Sequence, residues 1–571
     1  MPELLTSSTV TDEQRRRNDR HNHLVVIAVL AVLCVYMYLF TSAATLTGLP
    51  QPQEVAGFLH VDTPYIFDRN QHVETELSVH DGKRFEQPDD NLLVLFVVVA
   101  VAFLCAYYLP LRYKQGALAL CSLTGIAILY GSDVAAAVLG AHLLVYLVFH
   151  PDRRRGFWIG LVTGFAGYLA FIPGSSPGAI HALFALALPL LVAAFYRYSL
   201  LPMLQVERLA AILRTVVVHA AVVVICLNLV IDAAGGGGFL VPLGLLLFFF
   251  QWARLVMYHI DYQDGLVPDN ISLDRYLAVF LNPGVLPTWF WAVTVPQGYA
   301  YINNRFLNAD KNRIVLAGLK LLGIALFYLV FWYWIMQHLE ALFSRLGVEV
   351  YQSSIRVMVH DYTRGGEVNT VSVLLTSFMD LVRTLLTFAG VVHFKVAVWR
   401  ICGYNIAPYI NKPWLATNLM AFWTRYAYYY REFLVRAFYY PVFFRLSAVH
   451  PGLRILIGSL AAAGLGNLIA HMMKQNLQHG MHLQSTGYVL ETWAYFVLLG
   501  TGIAVSMMFM RRRRRMRKAW TLDRWFAVDL LAAYITIQYF ALIHVFARPT
   551  EASSFTDLFV LFMLGIGIDL Q

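Results

Sequence analysis

The chain has 571 residues, 59% of them hydrophobic and only 13% charged. Soluble globular proteins carry about 25% charged residues, and disordered chains are polar and poor in aromatics, so neither class fits. The net charge of +9 is concentrated in short runs between apolar stretches, at Arg15 to Arg17, Arg153 to Arg155 and Arg511 to Lys518. Cytoplasmic membrane loops explain that pattern better than nucleic-acid binding does.

In chain order, residues 1–23 read as a cytoplasmic tail. The apolar run 23–46 is too long for a signal-peptide core and reads as an uncleaved first membrane helix. Residues 47–90 hold nine acidic residues against three basic ones, which places this loop outside and the N-terminus inside. Further spans are expected at about 91–109, 116–131, 133–149, 157–173, 179–197, 209–232, 238–258, 313–337, 371–400, 452–473, 487–509, 526–547 and 555–570. The expected architecture is an all-α polytopic membrane protein with about 12–14 crossings. Its parts are the tail, membrane helices over 24–235, a core over 236–510, and a basic cytoplasmic loop with C-terminal helices over 511–571. Two stretches, 277–306 and 408–445, are too polar and too rich in proline for simple spans. Irregular backbone at membrane depth is tolerated where protein covers it or a wet cavity adjoins it, so these are candidate site segments.

The five cysteines lie far apart, with no zinc-like or CxxC spacing, and no metal is expected. Gly235 to Gly238 lacks a following GK[ST], and neither HExxH nor GxSxG occurs. Proton chemistry near neutral pH points to histidine. Of eighteen, His142, His181, His219, His393, His471 and His544 fall in or near spans. A lone histidine in an apolar helix more often bonds a neighbouring helix than performs catalysis. His471 is distinguished by Asn467 four residues earlier, on the same helical face, and by Gly458, Gly464 and Gly466, which let neighbours approach closely. The second candidate is 411–445. Here Asn418, Arg425, Arg431, Glu432 and Arg436 sit among Trp414, Trp423 and Tyr428 to Tyr430. Arg431 or Arg436 is expected to pair with Glu432, and an aromatic-lined cavity with arginines suits an acyl chain and a phosphate or carboxylate.

These residues carry a resemblance. Asn411-Lys-Pro-Trp-Leu-Ala-Thr-Asn-Leu-Met-Ala-Phe-Trp-Thr-Arg-Tyr-Ala427, then Tyr439-Tyr440-Pro441, resembles the motif N-R-P-Y-L-A-T-S-L-x-x-F-W-R-R-W-H and its tyrosine-rich continuation in the bacterial membrane-bound O-acyltransferase (MBOAT) family. Gly390, Arg400 and Gly403 fall in register upstream, and His471 falls where the family has its catalytic histidine. Looser similarity reaches back through Phe280-Leu-Asn-Pro283 and Arg254-Leu-Val-Met-Tyr258. The sequence departs from the family at Ala427, which replaces a second histidine. It departs again at His393, which replaces an aspartate, at Ala470 and Met472 beside His471, and at Arg436 in an acidic position.

The resemblance implies an MBOAT-like helical fold in a bacterial cytoplasmic membrane. It implies transfer of an acyl group from a thioester co-substrate (acyl-CoA or acyl carrier protein) to a hydroxyl of an envelope glycan or lipid, with no bound cofactor. His471 would be the general base and Asn467 its orienting or oxyanion partner. Arg425, Asn418, Trp423, Tyr428, Tyr429, Tyr430 and His393 would contact substrates. Implied partners are the acyl carrier, the glycan or lipid acceptor and an extracytoplasmic protein. Three alternatives stand beside this: an inactive acyl-binding partner protein, a secondary transporter or exporter, and a structural membrane scaffold.

Overall fold

The computed structural model describes residues 12–40, 89–130, 253–282, 297–328, 332–351, 354–467, 492–516, 522–548 and 553–570, with Ala135, Leu139, His142, Tyr146 and Val295. Among the described residues the chain is mostly helical, with no strand and one isolated antiparallel bridge between Phe306 and Tyr404. His471 and the expected spans between 157 and 232 lie outside the described residues.

The N-terminal part comprises α1 (Asp12–Phe40), α2 (Asp89–Tyr108) and α3 (Leu111–Tyr130). Helix α1 begins within the arginine-rich start, about three turns before the apolar run, so that start is helical. Helices α4 (Ala253–Gln263), α5 (Leu273–Phe280) and α6 (Tyr299–Arg305) are short. They are followed by α7 (Lys311–Leu326), α8 (Trp332–Arg345), α9 (Ile355–Thr363) and α10 (Thr370–Ile401). Side-chain caps start two of these: Asp310 accepts from Arg313 N–H, and Asn369 accepts from Ser372 N–H.

The stretch 408–445 is broken, as its prolines predict. A 3₁₀ turn (Pro413–Leu415) leads to α11 (Leu419–Tyr426), α12 (Tyr428–Leu434), a π-helical segment π1 (Val435–Tyr439) and α13 (Tyr440–Arg445). Pro441 explains the loosened ladder. It has no N–H to donate and its ring crowds the carbonyl one turn earlier, so the turns before it widen. After Pro451 at the first turn come α14 (Pro451–Ser459) and a second π-segment, π2 (Leu460–Gly466). The chain finishes with α15 (Trp493–Met516), α16 (Leu522–Ile543) with a 3₁₀ end, and α17 (Phe555–Gly565), which opens on a Ser554–Asp557 capping box.

Among the described residues, three helical stretches are long and apolar enough to cross a membrane: Thr370–Ile401, Trp493–Met510 and Ala527–Ala547. The expected span at 313–337 does not run as one α-helix, because α7 ends at Leu326 and turns π-helical at Phe327 and Tyr328. Helix α10 is the axis. It packs along α7, where Gly318 makes room: a Cβ there would lie 2.9 Å from Ile401 Cγ2 and 3.0 Å from Arg400 Cβ. Helix α16 carries Leu530, Leu531, Tyr534 and Ile535 on its exposed surface, an apolar face of the kind that meets lipid or a partner.

Candidate functional site

The two stretches that the sequence singles out separately meet. Helix α14 and π2 lie against π1, and glycines set the spacing. A Cβ on Gly458 would lie 2.9 Å from the Tyr439 ring, and one on Gly466 would lie 2.9 Å from Leu434 Cδ2 and 3.0 Å from Phe438 Cδ2. Gly464 is looser, with Phe496 O at 3.8 Å as its nearest neighbour. At the end of π2, Asn467 is buried, and Tyr430 of α12 donates its hydroxyl to Asn467 Oδ1 at 3.0 Å. Accepting from Tyr430 leaves the Asn467 amide nitrogen as a donor. Both segments at this seam are π-helical, and π-turns inside helices are frequent at functional sites.

The other expected site residues have different occupations. Asn418 is the N-cap of α11 and accepts from Ala421 N–H at 2.8 Å, so its oxygen is committed to the helix end. Arg425 reaches Lys412 O at 3.3 Å, while its own carbonyl accepts from Asn411 N–H at 2.7 Å. Both bonds hold the turn before α11. Trp423 is buried, stacked on Tyr426 (centroids 5.6 Å, 16° between planes) and set beside Phe540 of α16.

Tyr428 and Tyr429 meet edge to face at 5.0 Å. Tyr429 is fully buried and donates to Ala407 O at 2.7 Å; its oxygen then accepts from Tyr301 at 2.9 Å, and Tyr301 accepts from Ala407 N–H at 3.2 Å. That closed chain of bonds pins the turn at Ala407 to α6. Burial raises the phenol pKa of Tyr428, Tyr429 and Tyr430, so all three are neutral donors.

His393 is not brought to the Tyr430–Asn467 pair. It is buried on α10, its ring 5.9 Å from that of Tyr328, and its Nδ1 has no hydrogen-bond partner. Ala427, standing where the resembled family has a histidine, is buried at the junction of α11 and α12. A methyl group there offers no proton chemistry.

The charges of 411–445 divide. Arg431 pairs with Glu432 at 2.9 Å as expected, but Arg436 does not. It bridges to α4, reaching Asp261 Oδ1 at 3.0 Å and Asp264 Oδ2 at 3.2 Å. Asp261 is almost fully buried and also accepts from Ala300 N–H at 3.0 Å, so one carboxylate ties α4, α6 and π1 together. Burial pushes the Asp261 carboxyl pKa up, against the lowering by the Ala300 N–H and the Arg436 charge. Gly298 abuts this carboxylate, and a side chain there would collide with it.

Sequence reasoning passed over two features of this region. The Asp261–Arg436 tie spans 175 residues and has no local signal. In the sequence Arg254 stands out only as part of the Arg254-Leu-Val-Met-Tyr258 run. It is fully buried, and a buried arginine inside an apolar run is itself a legible signal. No family model matches the chain, and no curated protein matches it in sequence.

Proposed function

We propose that this chain is a membrane O-acyltransferase of the MBOAT type, carrying an acyl group from a thioester donor to a hydroxyl of an envelope glycan or lipid. The observation that carries the reading is the Tyr430–Asn467 hydrogen bond. It joins the aromatic, arginine-bearing segment to the glycine-rich helix whose sequence continues, four residues on, to His471. His471 acts as general base. It takes the acceptor hydroxyl proton as that oxygen attacks the thioester carbonyl; the C–S bond then breaks, and the leaving thiolate takes the proton back. Asn467, its oxygen engaged by Tyr430, presents its amide N–H to the developing oxyanion or to the imidazole.

The membrane is the bacterial cytoplasmic one, with the N-terminus inside. Three helices of spanning length, the outward apolar face of α16 and the basic run that ends α15 support that placement. A thioester made inside and a hydroxyl finished outside can meet at a buried site between the two faces. Ala427 favours a second reading, a non-catalytic protein that binds the acyl donor for a partner. The two separate in one experiment: membranes from cells expressing the chain are supplied with [¹⁴C]acetyl-CoA, and alkali-labile label in envelope material is counted. Transfer above that of membranes lacking the chain supports the enzyme. Donor binding without such label supports the second reading.

A further inference from the structure

Away from the Tyr430–Asn467 seam, four helices meet at one corner: the polar start of α1, the turn between α2 and α3, and the first turn of α7. The apolar runs of α1 and α2 stop here, at Asn22 and Tyr108. Tyr107, in the last turn of α2, fastens three of these helices. Its hydroxyl donates to Asn312 Oδ1 at 2.8 Å and lies 3.2 Å from Asn22 Oδ1, and Asn312 Nδ2 donates to the same Asn22 oxygen at 2.7 Å. The turn into α3 is closed by Lys114, whose buried side chain donates to Ala106 O. That bond holds the first turn of α3 to the last turn of α2, so Arg112 and Tyr113 stand at the level of Tyr107 and Tyr108.

This knot of polar bonds presents cations and aromatic rings outward. Lys311 Nζ lies 4.1 Å from the Tyr107 ring centroid, and the Tyr108 ring meets that of Tyr107 edge to face at 5.0 Å. The Arg112 guanidinium carbon lies 4.5 Å from the Tyr113 ring centroid. Rings under the two charges hold them in place without neutralising them. Tyr108, Leu111, Arg112 and Tyr113 are exposed, and Lys311 is half-buried. The neighbouring carboxylate, Asp310, is turned to its own helix end, where Oδ1 accepts from Arg313 N–H at 3.0 Å. At the level where apolar helix gives way to polar residues, tyrosines belong among lipid head groups, and long cationic side chains reach phosphates. A free phosphate would engage the cations alone and make no use of two exposed rings and an exposed leucine beside them.

We infer that this corner seats the head group of an anionic phospholipid. The phosphate lies against Arg112 and Lys311, Tyr108 and Tyr113 flank the glycerol, and Leu111 meets the start of the acyl chains. With the N-terminus inside, the corner faces the cytoplasmic leaflet, whose surface is anionic. The inference rests on the membrane placement and is independent of acyl transfer.

The test uses the full chain purified in detergent. Its Tm is followed as short-chain phosphatidylglycerol or phosphatidylcholine is added, with glycerol 1-phosphate as the charge without chains. The expected result is a saturable rise with phosphatidylglycerol that neither of the others reproduces. Arg112→Gln and Lys311→Gln should each raise the half-maximal phosphatidylglycerol concentration about fivefold. Arg364→Gln is the control. It removes an exposed charge just before the start of α10, whereas α7 begins near the end of α10, as the approach of Gly318 to Ile401 shows, and it should change nothing. If Lys311→Gln does not fold, Arg112→Gln decides, since its side chain is exposed. An equal rise with glycerol 1-phosphate would mean a free-phosphate site and overturn the lipid seat. So would an equal rise with phosphatidylcholine, no rise at all, a wild-type response from Arg112→Gln, or an equal loss in Arg364→Gln.

Discussion

Arg254 and Arg436 lie at opposite ends of the same helix neighbourhood and are treated differently. Arg436 is a quarter exposed and finds two carboxylates, Asp261 in the last turn of α4 and Asp264 just beyond it. Arg254 is fully buried and finds only carbonyls, with one nitrogen left over. The seam around Arg436, Tyr430 and Asn467 is closed by its own residues, whereas the region around Arg254 has donors in excess. A region whose partners are complete is built to hold a shape. Leaving one guanidinium N–H of a buried arginine without an acceptor has a cost that a completed network avoids.

The comparison can be broken at several points. The largest effect is expected at Asp261→Ala, which strands the Ala300 N–H and removes the buried partner of Arg436. Unfolding in detergent should show a loss of about 2–3 kcal/mol, because Arg436 retains some access to solvent. Asp264→Ala, at the exposed end of the same bridge, should cost less than about 1 kcal/mol. Equal effects for the two would mean that the bridge is merely superficial.

Next comes the close approach of π2 to π1. Gly466→Ala should destabilise by about 1–3 kcal/mol through overpacking on Leu434 and Phe438, whereas Gly464→Ala, with ordinary clearance, should be nearly neutral. The subtlest contrast uses one substitution in both regions. Tyr430→Phe leaves Asn467 Oδ1 buried without its donor and should cost about 1–2 kcal/mol. Tyr276→Phe removes a hydroxyl that has no partner. It should leave stability unchanged or raise it slightly. The same sign and size for both would erase the distinction between the regions.

Much of the fold could be read from local chemistry. Pro413 and Pro441 mark the broken stretch, and Gly458 and Gly466 lie where helices touch. Each of these acts within a turn or two of itself. Partners distant in sequence could not be read. Of the two arginines that can pair with Glu432, Arg431 does so, while Arg436 takes Asp261, because folding brings α4 to π1 and no local rule encodes that approach. The site was legible in part. Tyr430 and Asn467, chosen from separate segments, are in contact, while Asn418, Arg425 and Tyr429 are occupied in holding the backbone. A polar residue beside aromatics looks the same in sequence whether it caps a helix or meets a ligand.

The acyl-transfer account is tested most directly by comparing wild-type, Asn467→Ala and His471→Ala proteins, at matched expression, for alkali-labile [¹⁴C]acetyl incorporation from acetyl-CoA. The account predicts a fall of about 10²–10⁴-fold for His471→Ala and a smaller fall for Asn467→Ala. Undiminished incorporation in His471→Ala membranes would contradict it.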